Sequence, residues 1–89
     1  MKIVISTSYG GFGISKEASE FIIERRGSNG YKEMKRNDPD LIAAVEALGE
    51  RANGSFSYLN IVEIPDGVDW IIEEYDGNEW VAEKHRTWR

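Results

Sequence analysis

The glycine-rich segment near the amino terminus is the clearest candidate for binding a small ligand. It joins a β-branched run to a helical pattern through Gly10, Gly11, Phe12, Gly13 and, after Ile14, Ser15. Backbone N–H groups at the start of a helix, aided by the helix dipole, can bind a phosphate. The spacing fits neither standard phosphate-binding glycine motif. Two interpretations stay open: a tight turn that places Phe12 in the core, and a loop that binds a phosphate-bearing small molecule.

The titratable residues offer little catalytic chemistry. His85 is the only histidine, and a small hydrolase would use it as a general base beside a glutamate such as Glu83 or Glu73. The chain has no cysteine, and one histidine does not make a transition-metal site. Asp66 and Asp69 lack the alternating acids of a calcium loop. We predict no catalytic residue, no metal and no cofactor, and keep the His85 hydrolase as an alternative.

Charge is distributed unevenly along the chain. The 89 residues carry 11 bases and 16 acids, a formal net charge of −5. Residues 1–36 hold seven bases and four acids, a net +3, whereas residues 37–89 hold four bases and twelve acids, a net −8. Segment 60–83 contains eight acids and no base. This balance argues against direct nucleic-acid binding, which needs a basic patch that neutralises phosphates.

The acidic segment and the tail after it form the candidate protein interface. A basic partner, such as a nucleic-acid-binding host protein, could dock on Glu73, Glu74 and Glu79. The tail adds Arg86 and Trp88, a composition typical of interface hot spots. The alternative is a solvated face of acids with Trp88 packed on the sheet edge. An edge strand or Trp88 could also pair two copies into a homodimer.

Local patterns predict a strand and a helix at the start of the chain. The β-branched residues that begin the sequence predict a buried strand over 2–7. Ser15 is the expected N-cap of a helix over 16–26, with basic residues in its last turn. Gly27 then supplies the left-handed residue that ends the helix.

A second helix follows a polar connection. Asp38 is its expected N-cap, and the proline after it suits the first helical position. Apolar residues at helical spacing extend the pattern to Asn53-Gly54. We interpret Gly49, inside this span, as a position that permits close approach of a strand or of the other helix.

The second half of the chain is predicted to be strand. The three segments are 59–64, 70–75 and 80–86. The turn signal Asp76-Gly77-Asn78-Glu79 predicts a hairpin in which Tyr75 pairs with Trp80. Trp70 and Trp80 are expected to pack in the hydrophobic core.

These elements predict one α+β domain over residues 1–89, with two helices on one face of a small, mainly antiparallel sheet in the order β-α-α-β-β-β. The apolar run at the amino terminus has only three residues, Ile3, Val4 and Ile5. That is too short for a signal peptide or a membrane span, so we expect a cytoplasmic protein without membrane contact.

Several stretches resemble a family of small uncharacterised phage and prophage proteins. The most specific are VEIPDGVDW at 62–70, IEEYDG at 72–77 and EWVAEKHRTW at 79–88. Residues 2–5, 9–15, 38–41, 48–50 and 52–54 are similar to that family too, so the resemblance covers nearly the whole chain. It implies an accessory protein that acts in the cytoplasm of an infected bacterium, and it implies no catalytic residue.

Charge pattern and resemblance together lead to one hypothesis. The chain would be a non-enzymatic binding protein that modulates a host factor, as an inhibitor of host defence, through its acidic sheet face. The alternatives are a nucleotide-binding sponge that uses loop 10–15 and the small hydrolase that uses His85.

Overall fold

Two helices and four strands make up the described part of the chain. A computed structural model describes residues 1–27 and 35–83. The elements in chain order are β1 (Lys2–Ser6), α1 (Lys16–Arg26), α2 (Pro39–Leu48), a short 3₁₀ helix (Gly49–Ala52), β2 (Leu59–Glu63), β3 (Trp70–Tyr75) and β4 (Asn78–Glu83). The predicted α+β class is confirmed. No helix of the described residues is long and apolar enough to cross a membrane.

The strands form two antiparallel pairs rather than the single sheet that we expected. β1 pairs with β2, and β3 pairs with β4. The outer edge of β1, where another strand would be needed to join the pairs, is already bonded. The Val4 N–H donates to the Arg36 carbonyl at 2.8 Å, and the Ser6 N–H donates to Glu79 Oε1 at 2.8 Å. The Arg36 carbonyl and the Glu79 carboxylate therefore accept the hydrogen bonds that a neighbouring strand would otherwise accept.

The predicted caps of both helices are confirmed. Ser15 Oγ accepts the Ala18 N–H at 3.1 Å, and Gly27 ends α1 in the left-handed conformation with φ of 76°. Asp38 accepts the backbone N–H groups of the first turn of α2. The guanidinium of Arg26 also pairs with Asp38 at 2.6 Å and with Asp40 at 3.0 Å, which links the end of α1 to the start of α2.

Gly49 has a different role from the one that we predicted. A Cβ on Gly49 would meet no atom within 4 Å, so the glycine does not mediate close packing. Its φ is +57°, a conformation that favours glycine, and α2 ends there. The chain continues as the 3₁₀ helix instead of extending α2 to Asn53.

The helices cover one face of the β1–β2 pair. On this face Val4 and Leu59 join the buried side chains of the helices and the 3₁₀ helix, which are Ala18, Ile22, Leu41, Ala44, Val45 and Ala52. Ile3 and Ile5 alternate with Val4 along β1 and are also buried, at 0% and 4% exposure. Burial on both faces explains why β1 is a continuous apolar run rather than an alternating one.

The β3–β4 hairpin has a two-residue turn. Asp76 and Gly77 both have positive φ, 54° and 91°, as a type I′ turn requires. The pairing is Tyr75 with Asn78 and Trp70 with Glu83, so the predicted pairing of Tyr75 with Trp80 is wrong. β4 begins at Asn78 and not at residue 80, and residues 84–86 of the predicted strand lie outside the described part.

Candidate functional site

The glycine loop packs against the body of the protein. A Cβ on Gly10 would collide with the backbone carbonyl of Phe56, and a Cβ on Gly54 would lie 3.1 Å from the carbonyl carbon of Gly13. Gly11 has φ of +84°, which suits glycine. The Gly13 carbonyl accepts the Ser57 hydroxyl at 2.7 Å. These contacts favour the interpretation of the loop as a tight, packed turn.

The start of α1 is also occupied by groups of the chain itself. The Ser15 N–H donates to the Ala52 carbonyl at 2.9 Å, and the Ser15 hydroxyl donates to the Arg51 carbonyl at 2.5 Å while it caps Ala18. The polar atoms of Ser15 that would contact an anion are therefore committed to hydrogen bonds within the chain. Among residues 1–27 and 35–83, no cavity is present next to this loop or elsewhere.

Phe12 lies half-buried at the edge of the core and forms part of a cation–π contact. The guanidinium carbon of Arg36 is 3.8 Å from the centre of the Phe12 ring. The same guanidinium donates to both carboxylate oxygens of Glu79, at 2.7 and 2.8 Å, and to the Val4 carbonyl at 3.3 Å. Arg36 thus joins the glycine loop, β1 and β4 at one point.

Glu79 is buried, at 8% exposure, so the expectation that it contributes to an exposed acidic face is wrong. Burial alone raises the pKa of Glu79, because it penalises the charged form. Hydrogen bonds from Arg36 and from the Ser6 N–H, together with the positive charge of Arg36, outweigh burial and lower the pKa of Glu79 below its ordinary value. Glu79 is therefore an ionised anchor of the hairpin rather than a residue for an external partner.

The remaining predicted interface acids lie on opposite faces of the hairpin. Glu73 is exposed and is paired across the strands with Trp80. Glu74 is exposed too, but it shares the other face with Glu79, and its carboxylate accepts the Gly77 N–H at 3.3 Å. The pleat separates the two neighbouring glutamates, so they do not form one acidic surface.

The face that carries Glu73 also carries exposed apolar side chains. Tyr75 is 72% exposed, Trp80 45% and Ile71 36%. We call these three residues and Glu73 the outer hairpin face. The prediction that Trp80 belongs to the core is wrong, because the two-residue turn sets a register that turns its side chain outward. The alternation of side chains along the two strands, combined with a two-residue turn at Asp76-Gly77, would have predicted this surface from the sequence.

Two sequence-predicted interface residues, Arg86 and Trp88, lie outside the described residues, as does His85. Arg36, by contrast, had no signal in the sequence, because its partner Glu79 is 43 positions away. Within the described ranges no group of three or more histidine or acidic side chains could hold a metal ion.

The structure is a small α+β fold with an exposed hairpin face on which three apolar side chains surround Glu73. Comparison with protein-family models, with curated proteins and with solved structures gives no significant match. The resemblance to small phage and prophage proteins therefore stays a prediction.

Proposed function

We propose that this chain is a small, non-enzymatic binding protein that modulates a host factor in the bacterial cytoplasm. Its target would be a basic host protein, a component of a defence system, which it inhibits by docking. The observation that carries the proposal is the outer hairpin face, where Trp80, Tyr75 and Ile71 are exposed around Glu73.

Residue composition supports a docking role for this face. Tryptophan and tyrosine are enriched among the residues that dominate binding energy, because they bury a large area and retain one polar group. Most of the indole surface is apolar, so a partner that covers an exposed tryptophan removes apolar surface from water, which is favourable. Tyr75 and Trp80 therefore supply the anchors that a protein interface needs.

The hairpin is held in place before it binds. Glu79 on its opposite face bonds to Arg36 and to the Ser6 N–H of β1. Gly77 in the turn lies against the loop, since a Cβ there would be 2.6 Å from the Gly11 nitrogen and from the Tyr9 carbonyl oxygen. A surface that is already ordered loses less conformational entropy on association.

Charge supports a basic partner. Asp69, Glu73 and Asp76 are exposed, and no base among the described residues forms an ion pair with them. Opposite charge on a partner would raise the association rate and would make binding sensitive to salt.

The alternatives have less support in the structure. The nucleotide sponge needs free N–H and O–H donors at the start of α1, and the Ser15 N–H, the Ser15 hydroxyl and the Ala18 N–H all donate within the chain. The hydrolase would use His85, which lies outside the described residues. A homodimer through an edge strand or Trp88 remains a separate proposal, tested by sedimentation of the purified chain.

The test is affinity capture from bacterial lysate with the tagged chain, followed by binding and activity measurements on the purified captured protein. Replacing Trp80 by alanine should weaken binding about 30-fold, the effect of an interface hot spot. The matched control is Glu20→Gln, which removes an exposed acid from α1 and should leave the affinity unchanged. Equal affinity of the wild-type and Trp80→Ala chains, or no effect of the chain on the activity of its target, would refute the proposal.

A further inference from the structure

Arg36 contacts an aromatic ring and a carboxylate at the same time. The guanidinium of Arg36 lies against the ring of Phe12, 3.8 Å from its centre, and donates two hydrogen bonds to the carboxylate of Glu79. An aromatic ring and a carboxylate satisfy different parts of a guanidinium, since the ring contacts its flat face and the carboxylate binds its N–H edge. Both contacts are made here within a single domain.

The outer hairpin face presents the same two groups without an arginine. Glu73 and Trp80 are a directly opposed cross-strand pair, and such pairs hold their Cβ atoms about 5 Å apart on one face of the sheet. Both side chains are exposed. Within residues 1–27 and 35–83 no base forms an ion pair with Glu73 or a cation–π contact with Trp80.

We propose that Glu73 and Trp80 form a subsite for an arginine side chain of the partner protein. This inference rests on the proposed function, because it names the group that the docking surface recognises. The guanidinium stacks on the indole ring while its N–H edge donates to the Glu73 carboxylate. The exposed acids Asp69 and Asp76, next to the two ends of β3, also favour a basic segment, since no base among the described residues forms an ion pair with them.

Arginine fits this subsite better than lysine does. The guanidinium is planar and weakly hydrated, so it stacks on an aromatic ring at a small desolvation cost, whereas an ammonium is compact and strongly hydrated. Tryptophan offers the strongest cation–π surface of the three aromatic residues. Ile71 and Tyr75 flank Glu73 on the same face of β3 and provide apolar surface for the methylene groups of the arginine.

The test compares an arginine octapeptide with a lysine octapeptide of equal charge, by titration calorimetry on the full chain at about 0.1 M salt. We expect the arginine peptide to bind about five- to tenfold more tightly, the range of a partly desolvated cation–π contact. Trp80→Leu keeps an apolar side chain and removes the ring, so the preference for arginine should disappear. Glu73→Gln should weaken binding of the arginine peptide and leave Trp80 stacking in place.

Matched controls separate this subsite from general charge attraction. Phe56→Leu removes an exposed ring from a different loop, and Glu20→Gln removes an exposed acid from α1. Both should retain the arginine preference. The indole N–H resonance of Trp80, assigned by its absence in Trp80→Leu, should shift on addition of the arginine peptide and should shift less at the same concentration of the lysine peptide.

Three results would overturn the inference. Equal affinity for the two peptides would do so, as would an arginine preference that survives Trp80→Leu. The third result is a preference for the arginine peptide that appears only after Arg86 and Arg89 are replaced by alanine. It would mean that an arginine of the chain itself, and not one of a partner, occupies the subsite. If a captured host protein depends on Trp80 but the peptides bind equally, only this inference fails. If no host protein depends on Trp80, the proposed function fails.

Discussion

At the scale of single residues, the three glutamates of the hairpin have three different environments. Glu79 is buried and bonded to Arg36 and Ser6, Glu74 accepts the N–H of the turn glycine, and Glu73 is exposed beside Trp80. A carboxylate is stable in a buried position only where charge and hydrogen bonds compensate its desolvation. The chemical type is the same in each case, and the surroundings decide the role.

Glu79→Gln should destabilise the protein by about 2–3 kcal/mol, because Arg36 is left without its opposite charge in a largely buried position. Urea unfolding at neutral pH measures the change. Glu73→Gln is the control in the same hairpin, and its effect should stay within about 0.5 kcal/mol since Glu73 is exposed. Equal effects of the two substitutions would contradict the assignment of Glu79 as an anchor.

At the scale of elements, turns and loops determine which surfaces the strands present. The positive φ values of Asp76 and Gly77 produce a two-residue turn, and that turn places Trp80 opposite Glu73. A change of register by one residue would exchange the two faces of the strand. The outer hairpin face therefore depends on the turn as much as on its own side chains.

Gly10 and Gly13 make a matched test of loop packing. Gly10→Ala should cost more than about 2 kcal/mol, because the new Cβ collides with the backbone of Phe56. Gly13→Ala adds a methyl group where no atom lies within 4 Å and φ is not positive, so stability should stay within about 0.5 kcal/mol. Thermal unfolding followed by circular dichroism distinguishes the two. A harmless Gly10→Ala would mean that the loop is not packed as described.

At the scale of the whole molecule, the Arg36–Glu79 ion pair links the β3–β4 hairpin to β1. The Arg36 carbonyl accepts the Val4 N–H of β1, and the Arg36 guanidinium donates to Glu79 of β4. The Glu79 carboxylate also accepts the Ser6 N–H of β1. Charge at this junction therefore affects how the hairpin is held, and through it the surface that we propose binds a partner.

Stability should fall in acid because of this junction. The pKa of Glu79 in the folded protein lies below its ordinary value of 4.5, so its stabilising contribution is fully present above about pH 4.5 and is lost as pH falls through the folded-state pKa. The pKa of Asp40, bonded to Arg26 and Arg25, is lowered too and acts in the same direction. Urea unfolding between about pH 7 and pH 3 should show the decline.

Glu79→Gln provides the check on that decline. The variant lacks the titrating group, so the difference in unfolding free energy between it and the wild-type protein should shrink as the pH is lowered below about 4.5. A difference that stays constant over the same range would show that Glu79 does not contribute its charge to stability.

The local signals of the sequence were sufficient for the helices and for most of the strand positions. Ser15, Gly27 and Asp38 mark helix ends through interactions within a few residues, so their roles could be predicted without tertiary contacts. The end of α2 at Gly49 was missed, because the sequence alone does not distinguish a glycine that is required for its positive φ from a glycine that is required for close packing.

The sequence by itself determined the α+β class and the excess of acids in segment 60–83. Only the tertiary structure decided that the strands divide into two pairs, that Glu79 is buried and that Trp80 is exposed. The physical reason is range: caps and helical periodicity act over a few residues, whereas Arg36 and Glu79 meet across 43 positions of sequence. Such a contact depends on the packing of every element between its two ends, and no local pattern records it.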